Sequence, residues 1–315
     1  MKFEWRGFTI LSQTALCLSL FACSPTGPES SPGGRLAFLG GGSDGNFEIL
    51  TGRANGSGMT TVIGGLPEFV DLAWSPDATE IVYATNFGGT SKFDLYTVNV
   101  RGSVNQALSV DGRMPAWSPD GQRIAFSVTN DESGRFDLYT MTPNGGDIRP
   151  LVQSALDKFS VAWSPDGGRI AYESRGGSRD GIYVAWADGS DPTMILGSLN
   201  GAVGAPAWSP DGGRIVFEST MHRGDALDPL GQYEIYVMNA DGSNVTRLTF
   251  LSHERRALRF PTWSSDDQSI AFESQTEIEG EVGFIYRILK MGVDGSDPKE
   301  IAFRRGVRSP KWSPF

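Results

Sequence analysis

The chain has 315 residues, a formal net charge of −10 and an isoelectric point of about 4.8. This acidic balance argues against a nucleic-acid partner, because the protein would repel phosphates. Its 40 glycines and 18 prolines indicate a fold with many tight turns and few long helices.

The first segment of the chain has the pattern of an export signal. After a basic start, an uncharged run extends from Phe8 to Ala22, which is typical of a signal peptide and short for a membrane span. The run ends in LFAC, residues 20–23, which resembles the lipobox of bacterial lipoproteins. The resemblance implies a signal peptide over residues 1–22 and lipidation of Cys23. An ordinary secretory signal is the alternative interpretation.

The residues after the signal connect the lipid to the folded part. Residues 23–34 are rich in Ser, Pro and Gly and predict a flexible tether. Ser24, next to the lipidated cysteine, is of the kind that sends lipoproteins to the outer membrane. We therefore expect a protein anchored by lipid to the outer membrane and facing the periplasm. No cysteine follows Cys23, which excludes a disulfide or a cysteine metal site in the folded part.

A repeated phrase of the type AWSPDGxRIAF organises the rest of the chain. Its tryptophan recurs at steps of 43, 46, 45, 55 and 49 residues, in or just above the range of a propeller blade. The repeat positions are Trp74, Trp117, Trp163, Trp208, Trp263 and Trp312. One aromatic side chain per blade is what packing between adjacent blades requires, and we prefer this structural role to sugar stacking.

Each repeat unit contains the signals of four short strands. In the third unit, Ser164–Gly167 has the residues of a type I turn that joins the first two strands. Ala78 and Asp267 stand where the other turns have glycine, so these two turns should be less relaxed. Prolines two residues before four of the tryptophans predict the first residue of the inner strand; these are Pro115, Pro206, Pro261 and Pro310.

The repeat resembles that of TolB-type propellers, which are relatives of WD-repeat propellers. The resemblance covers residues 35–315 and implies an all-β fold, a six-bladed β-propeller of four-stranded antiparallel blades. TolB also carries an α/β domain before its propeller, whereas only the tether precedes the repeats here, so we do not expect TolB itself.

The two ends of the repeat region complement each other. The segment that starts at Arg35 has the later strands of a blade without a WSP strand, and the C-terminus supplies a WSP strand alone. We predict that the strand at about Arg308–Trp312 pairs with the strand at Arg35–Leu39. Closure of this kind removes the two free sheet edges of an open array.

The variable loops on one face are the predicted binding surface, because binding usually lies on variable loops over a rigid scaffold. The longest insertion and the loop after it carry the candidate residues His222, Arg223, Asp225, Asp228, His253, Glu254, Arg255 and Arg256. His222 and His253 are too few for a firm metal site and lack the HxH or HExxH spacing. We therefore predict no metal and no other cofactor, and solvated loop residues remain the alternative.

Four acids at the start of third strands are Glu48, Asp94, Asp137 and Glu234. They could form a ring around the central channel of the propeller and bind a cation, but we favour side chains that are paired or solvated.

No pattern in the sequence identifies a catalytic residue. We favour a monomeric binding or scaffold lipoprotein that presents one propeller face to a protein, a glycan or another envelope polymer. The alternatives are a propeller enzyme such as a polysaccharide lyase, with charged loop residues around the central channel, and a sensor of a small ligand or ion.

Overall fold

In the part of the chain that the structure describes, twenty-four strands form six four-stranded antiparallel sheets, which are the blades of a propeller. The structure is a computed structural model and describes residues 34–42, 46–67, 71–87, 92–102, 105–130, 133–198, 201–222, 232–250, 256–278, 284–303 and 306–314. The predicted signal peptide, Cys23 and the tether up to residue 33 lie outside this range. No helix of the described part is long and apolar enough to cross a membrane.

The strands follow the repeat in chain order. The closing blade contains β1 (Arg35–Gly41), β2 (Phe47–Arg53) and β3 (Thr60–Leu66) together with the last strand, β24 (Arg308–Trp312). Blade 1 contains β4 (Leu72–Trp74), β5 (Glu80–Thr85), β6 (Asp94–Asn99) and β7 (Asn105–Asp111). Blade 2 contains β8 (Arg113–Trp117), β9 (Ile124–Thr129), β10 (Phe136–Met141) and β11 (Arg149–Val152). Blade 3 contains β12 (Asp157–Trp163), β13 (Arg169–Arg175), β14 (Gly181–Trp186) and β15 (Thr193–Gly197). Blade 4 contains β16 (Val203–Trp208), β17 (Arg214–Ser219), β18 (Glu234–Asn239) and β19 (Thr246–Arg247). Blade 5 contains β20 (Arg256–Trp263), β21 (Ser269–Glu277), β22 (Phe284–Gly292) and β23 (Lys299–Phe303).

The predicted closure of the ring is confirmed. In the closing blade, β24 pairs with β1 so that Trp312 lies opposite Leu36 and Lys311 lies opposite Ala37. The amide of Ser313 donates to the carbonyl oxygen of Arg35 at 2.7 Å, and the amide of Arg35 donates to Ser313 Oγ at 2.9 Å.

The same two hydrogen bonds occur in the continuous Ser-Pro turns of the other blades. In blade 3, the Ser164 amide donates to the Arg169 carbonyl at 2.9 Å and the Arg169 amide donates to Ser164 Oγ at 2.9 Å. The turn itself closes through the Gly167 amide, which donates to the Ser164 carbonyl at 2.8 Å, as a type I turn requires. The closing blade therefore keeps the turn geometry although its chain is interrupted.

The expected strain in two turns is present. Ala78 has φ of 54° and Asp267 has φ of 58°, a left-handed backbone that the other turns give to glycine.

The prolines before the tryptophans do not begin the inner strands, contrary to the prediction. Each lies inside its strand at a bulge, directly after a residue of left-handed backbone three positions before the tryptophan. Five inner strands have such a left-handed residue, with φ between 47° and 52°; these are Met114, Ser160, Ala205, Phe260 and Ser309. The inner strand is the edge of its blade, so a proline at the bulge removes no ladder hydrogen bond.

The hydrophobic core is divided among the six seams between neighbouring blades. Each of six clusters combines buried side chains of two adjacent blades. At the seam between the closing blade and blade 1, for example, Ile49 and Leu66 pack with Trp74 and Tyr83. Stability therefore arises mainly between blades, as expected for four-stranded sheets that bury both faces.

A glycine in the turn between the third and fourth strands lets each blade approach the one before it. A Cβ built on these glycines would lie between 1.7 and 2.7 Å from a carbonyl oxygen on the outermost part of the preceding blade. The six glycine–carbonyl pairs are Gly56–Ile301, Gly102–Val62, Gly145–Leu108, Gly189–Leu151, Gly242–Ile195 and Gly295–Leu248. This close approach of backbone to backbone is repeated around the whole ring.

We expect Gly189→Ala to lower the free energy of unfolding by more than about 3 kcal/mol, because the new methyl group adds a clash to the left-handed strain. Its Cβ would lie 1.7 Å from the Leu151 carbonyl oxygen. Gly134→Ala is the matched control, because Gly134 also has a positive φ (67°) but nothing within 4 Å of the added Cβ. Urea unfolding should give the control a loss of only about 1–2 kcal/mol. Equal losses in the two variants would contradict the close approach.

Candidate functional site

A cavity of about 520 Å³ lies on the axis of the propeller, surrounded by the six inner strands. It extends from the left-handed residues of these strands to the Ser-Pro turns. The walls are mostly apolar and include all six repeat tryptophans and the turn prolines Pro76, Pro119, Pro165, Pro210 and Pro314. Its size and its apolar walls are those of small-molecule sites in proteins, which makes the axis the candidate functional site.

The repeat tryptophans border this cavity and lie at the seams between blades. The indole N–H of Trp74 donates to the Lys311 carbonyl at 3.0 Å, and that of Trp163 donates to the Ala116 carbonyl at 3.2 Å. Trp263 makes the same bond to the preceding blade. Their indole rings are largely buried, so they offer little surface for stacking on a sugar.

Carboxylates of one blade accept the amide of the left-handed residue in the next. Glu218 Oε2 accepts the Phe260 amide at 2.8 Å, and Glu273 Oε2 accepts the Ser309 amide at 3.0 Å. Two further pairs are Glu173–Ala205 at 3.4 Å and Asp71–Met114. The bulge amide has no partner in its own ladder, so these acids satisfy a donor that would otherwise be buried alone.

In three inner strands, an arginine four positions before the tryptophan stacks on an aromatic ring of the preceding blade. The guanidinium carbons of Arg113, Arg259 and Arg308 lie 4.2, 4.3 and 4.0 Å from the ring centroids of Phe93, Tyr233 and Tyr286. Arg259 also donates to Glu218 at 2.8 Å. These stacks lie at the end of the axis that carries the variable loops, and they fix the arginines in place.

Two charged residues break the repeat within the cavity wall. Lys311 occupies the position before the tryptophan where the other inner strands have Ala73, Ala116, Ala162, Ala207 and Thr262. Asp71 occupies the position three before the tryptophan, where the others have Met114, Ser160, Ala205, Phe260 and Ser309. Both residues are partly buried and line the cavity.

Burial dominates the titration of this pair. It raises the pKa of Asp71 to about 6, although Lys311, Arg113 and the Met114 amide act in the opposite direction. Burial also lowers the pKa of the Lys311 ammonium, against the attraction of Asp71 and Glu218. The pair therefore places two opposite charges in an environment of low polarity.

Sequence reasoning did not identify Asp71 and Lys311 as candidate residues. The signal that could have found them is their departure from the repeat, since each is the single acid or the single lysine at its position among the six inner strands. The glutamates that cap the bulges carried a similar signal, because the pair Glu-Ser occurs at the same place in the second strand of three consecutive units.

Two of the predicted loop residues lie in the described part. His222 is buried, and its Nδ1 lies 3.0 Å from the Tyr236 hydroxyl oxygen. Arg256 begins β20 and is partly exposed. The other loop candidates lie outside the described residues; they are Arg223, Asp225, Asp228, His253, Glu254 and Arg255. Within the described ranges, no group of three or more His, Cys, Asp or Glu side chains is arranged to hold a metal ion.

The four acids of the third strands do not gather around the axis as a common site. Asp137 is buried and bound to the buried Lys158 at 2.7 Å, and Glu234 is bound to Arg247 at 3.1 Å. Glu48 accepts the Thr61 hydroxyl at 2.8 Å, and Asp94 is exposed. Each acid is thus paired within its neighbourhood or solvated.

We expect Glu273→Gln to stabilise the protein at pH 8 and to leave its stability nearly unchanged at pH 5. Burial raises the pKa of Glu273 from 4.5 to about 7, so the folded state holds an extra proton between these values. Stability therefore falls as the pH rises through this window, by up to about 3 kcal/mol. Glutamine keeps an acceptor for the Ser309 amide and removes the ionisation, so the variant should lose this dependence.

Urea unfolding of both proteins at the two pH values measures the effect. Asp241→Asn is the control, and the pH dependence of stability that it removes should have the opposite sign. The reason is that the Ser243 hydroxyl and amide lower the pKa of Asp241. If the stability of the Glu273→Gln variant follows that of the wild type at both pH values, Glu273 does not bind the extra proton.

Comparison with solved structures places this fold among TolB-type propellers. The structure of TolB from Acinetobacter baumannii matches with a TM-score of 0.71 and 20% identity over 90% of this chain and 67% of that one. A putative TolB from Agrobacterium tumefaciens matches with a TM-score of 0.68 and 22% identity over 88% of this chain and 91% of that one. Oligogalacturonate lyase from Vibrio parahaemolyticus matches with a TM-score of 0.56 and 14% identity over 85% and 74%. No protein-family profile and no curated protein matches the sequence. The chain has the six-bladed fold of the TolB-type propellers.

Proposed function

We propose that this chain is a binding protein of the bacterial cell envelope, anchored by a lipid on Cys23, which presents its loop face to a protein or a glycan. The loop face carries the connections between second and third strands and those between one blade and the next. The turn face carries the Ser-Pro turns and the turns between third and fourth strands. The leader and tether of the sequence support the anchor, and the likeness to TolB structures supports an envelope location.

Exposed phenylalanines on the loop face are the observation that carries the proposal. Phe87, Phe250 and Phe284 are 47%, 56% and 51% exposed, and all three lie in or beside its connections. Each is held by a neighbour: Phe87 packs edge-on against Tyr96, Phe250 lies under Arg247 at 4.6 Å, and the ring centroid of Phe284 lies 6.3 Å from that of Tyr286. Aromatic and arginine side chains fixed in this way lose little entropy on binding and dominate interface energies.

The lyase alternative has less support. It rests on a likeness of fold at 14% identity, and the ring of His222 is buried beside Tyr236 rather than presented to solvent. We therefore favour a binding role over catalysis and expect the partner to be a macromolecule of the envelope.

The binding face can be tested in cells that make the full-length protein. We expect the triple variant Phe87→Ala, Phe250→Ala, Phe284→Ala to lose cross-linking to its main envelope partner at least about tenfold, because it loses three aromatic contacts. The matched control replaces Ile148, Met194 and Val245, which lie at or just after the turns of the opposite face and are 50%, 45% and 38% exposed. Cross-linked species are quantified by mass spectrometry after purification.

The control should keep its partner and both triple variants should keep the melting temperature of the wild type. Loss of the partner in the turn-face variant, or its retention in both variants, would contradict binding through the loop face.

Lipid anchoring has a separate test. We expect Cys23→Ser to abolish incorporation of labelled fatty acid and to move the protein from the membrane to the soluble fraction, because the serine cannot form the thioether to the lipid. Cys17→Ser is the matched control, since Cys17 lies within the predicted signal peptide and should leave both readouts unchanged. Fatty-acid labelling that persists in the Cys23→Ser variant would disprove the anchor.

A further inference from the structure

Lys311 brings a cation into the axial cavity without a partner of its own. Its side chain lines the cavity, and its ammonium makes no hydrogen bond or close ion pair within the described part of the chain. Lys299, by comparison, is exposed and bound to Asp297. A lysine that is partly buried and not paired loses part of its hydration without compensation, which is costly.

The electrostatic neighbours of Lys311 place its ammonium near the axis. It is attracted by Asp71 of blade 1 and also by Glu218 of blade 4, which lie on opposite sides of the closing blade around the ring. Together with the position of Lys311 in the cavity wall, these two contributions put its cation within electrostatic reach of acids from two other blades.

Asp71 supplies the opposite charge in the same wall. Its carboxylate accepts one backbone amide, that of Met114, and forms no close ion pair with Lys311. A carboxylate has about four acceptor sites, so Asp71 keeps capacity for a further donor. An anion alone would be repelled by Asp71 and a cation alone would be repelled by Lys311, whereas a ligand with both charges can pair with each group.

The uncharged part of the wall has the character of an apolar side-chain pocket. Leu72, Met114, Val161 and Phe260 contribute to it, beside the tryptophans and prolines. The cavity of about 520 Å³ has the volume of a site for a small molecule and not for a folded domain. A ligand that fits this wall is small, largely apolar and charged with both signs.

We propose that the axial cavity binds an apolar zwitterion of the amino-acid or short-peptide class, with its carboxylate at Lys311 and its ammonium at Asp71. This site is separate from the loop face, so it does not depend on the proposed macromolecular partner. Each ligand charge replaces water at a protein group of opposite charge, and the apolar side chain of the ligand contacts the uncharged part of the wall.

Three forms of one dipeptide test the charge requirement. The probes are leucyl-phenylalanine, its N-acetyl form, which has only the carboxylate, and its amide form, which has only the ammonium. Titration calorimetry gives the affinities, and tryptophan fluorescence reports binding at the axis because six of the eight tryptophans line the cavity. We expect the free dipeptide to bind at least about tenfold more tightly than either blocked form, since each lost charge pair is worth a charge-assisted hydrogen bond.

Two variants assign the charges to their partners. Lys311→Met should weaken binding of the free dipeptide at least about tenfold and remove its advantage over the amide form. Asp71→Asn keeps an acceptor for the Met114 amide and should remove the advantage over the acetyl form. Lys299→Met is the matched control on the outer strand of blade 5 and should bind as the wild type does.

The proposal fails if the wild type binds none of the three probes at millimolar concentration, or if both blocked forms bind as tightly as the free dipeptide. It also fails if Lys311→Met binds like the Lys299→Met control. A melting curve of each variant shows whether it folds. If a cavity variant does not fold, the comparison of the three probes on the wild type is sufficient to test the charge requirement.

Discussion

Backbone packing at the seams between blades is the constraint on which the whole molecule depends. At the rim of the ring, a turn glycine such as Gly189 lies against the carbonyl of the preceding blade, and no side chain fits between them. Nearer the axis, Trp74 donates to the Lys311 carbonyl across the seam between the closing blade and blade 1. A ring forms only if every seam reaches this distance and if the closing blade is complete. Ser313 and Arg35 join the two ends of the chain inside that blade by the same hydrogen bonds that a continuous turn makes.

The acids around the axis position the inner strands more than they stabilise them. A non-glycine residue in the left-handed region costs about 1–2 kcal/mol, and a hydrogen bond to a charged group contributes about 1.5–3 kcal/mol. The bond from the Phe260 amide to Glu218 could therefore offset the strain of its bulge. Burial offsets much of the stabilisation from this hydrogen bond, because it disfavours the charged carboxylate. The raised pKa of Glu273 reflects this cost. What remains is geometry: these acids hold the bulged backbone of the inner strand in the next blade.

The sequence predicted the blade number, the strand order and the closure because these follow from local periodicity and from the incomplete phrase at each end. It misplaced Pro115 and its equivalents, because a proline at a strand start and a proline at an edge bulge give the same pattern, and only strand pairing separates them. A repeat is recognised by the residues that its units share, so residues that occur in a single unit are overlooked. Asp71 and Lys311 are of this kind, and their meeting depends on the ring being closed. His222 was expected in a loop, but its contact with Tyr236 depends on a side chain fourteen residues away.

The cavity charges lie on either side of the seam between the closing blade and blade 1. Lys311 belongs to β24, the last strand, and Asp71 immediately precedes β4 of blade 1, so the two approach each other only when the closing blade is complete. A ligand that contacts both would bind the closed ring and not an open one. By mass action such a ligand stabilises the closed form by RT ln(1 + [L]/Kd), which is about 2.7 kcal/mol at a hundredfold excess over Kd. The interrupted blade, which has no covalent turn to hold its inner strand, is the part of the ring that gains most from this coupling.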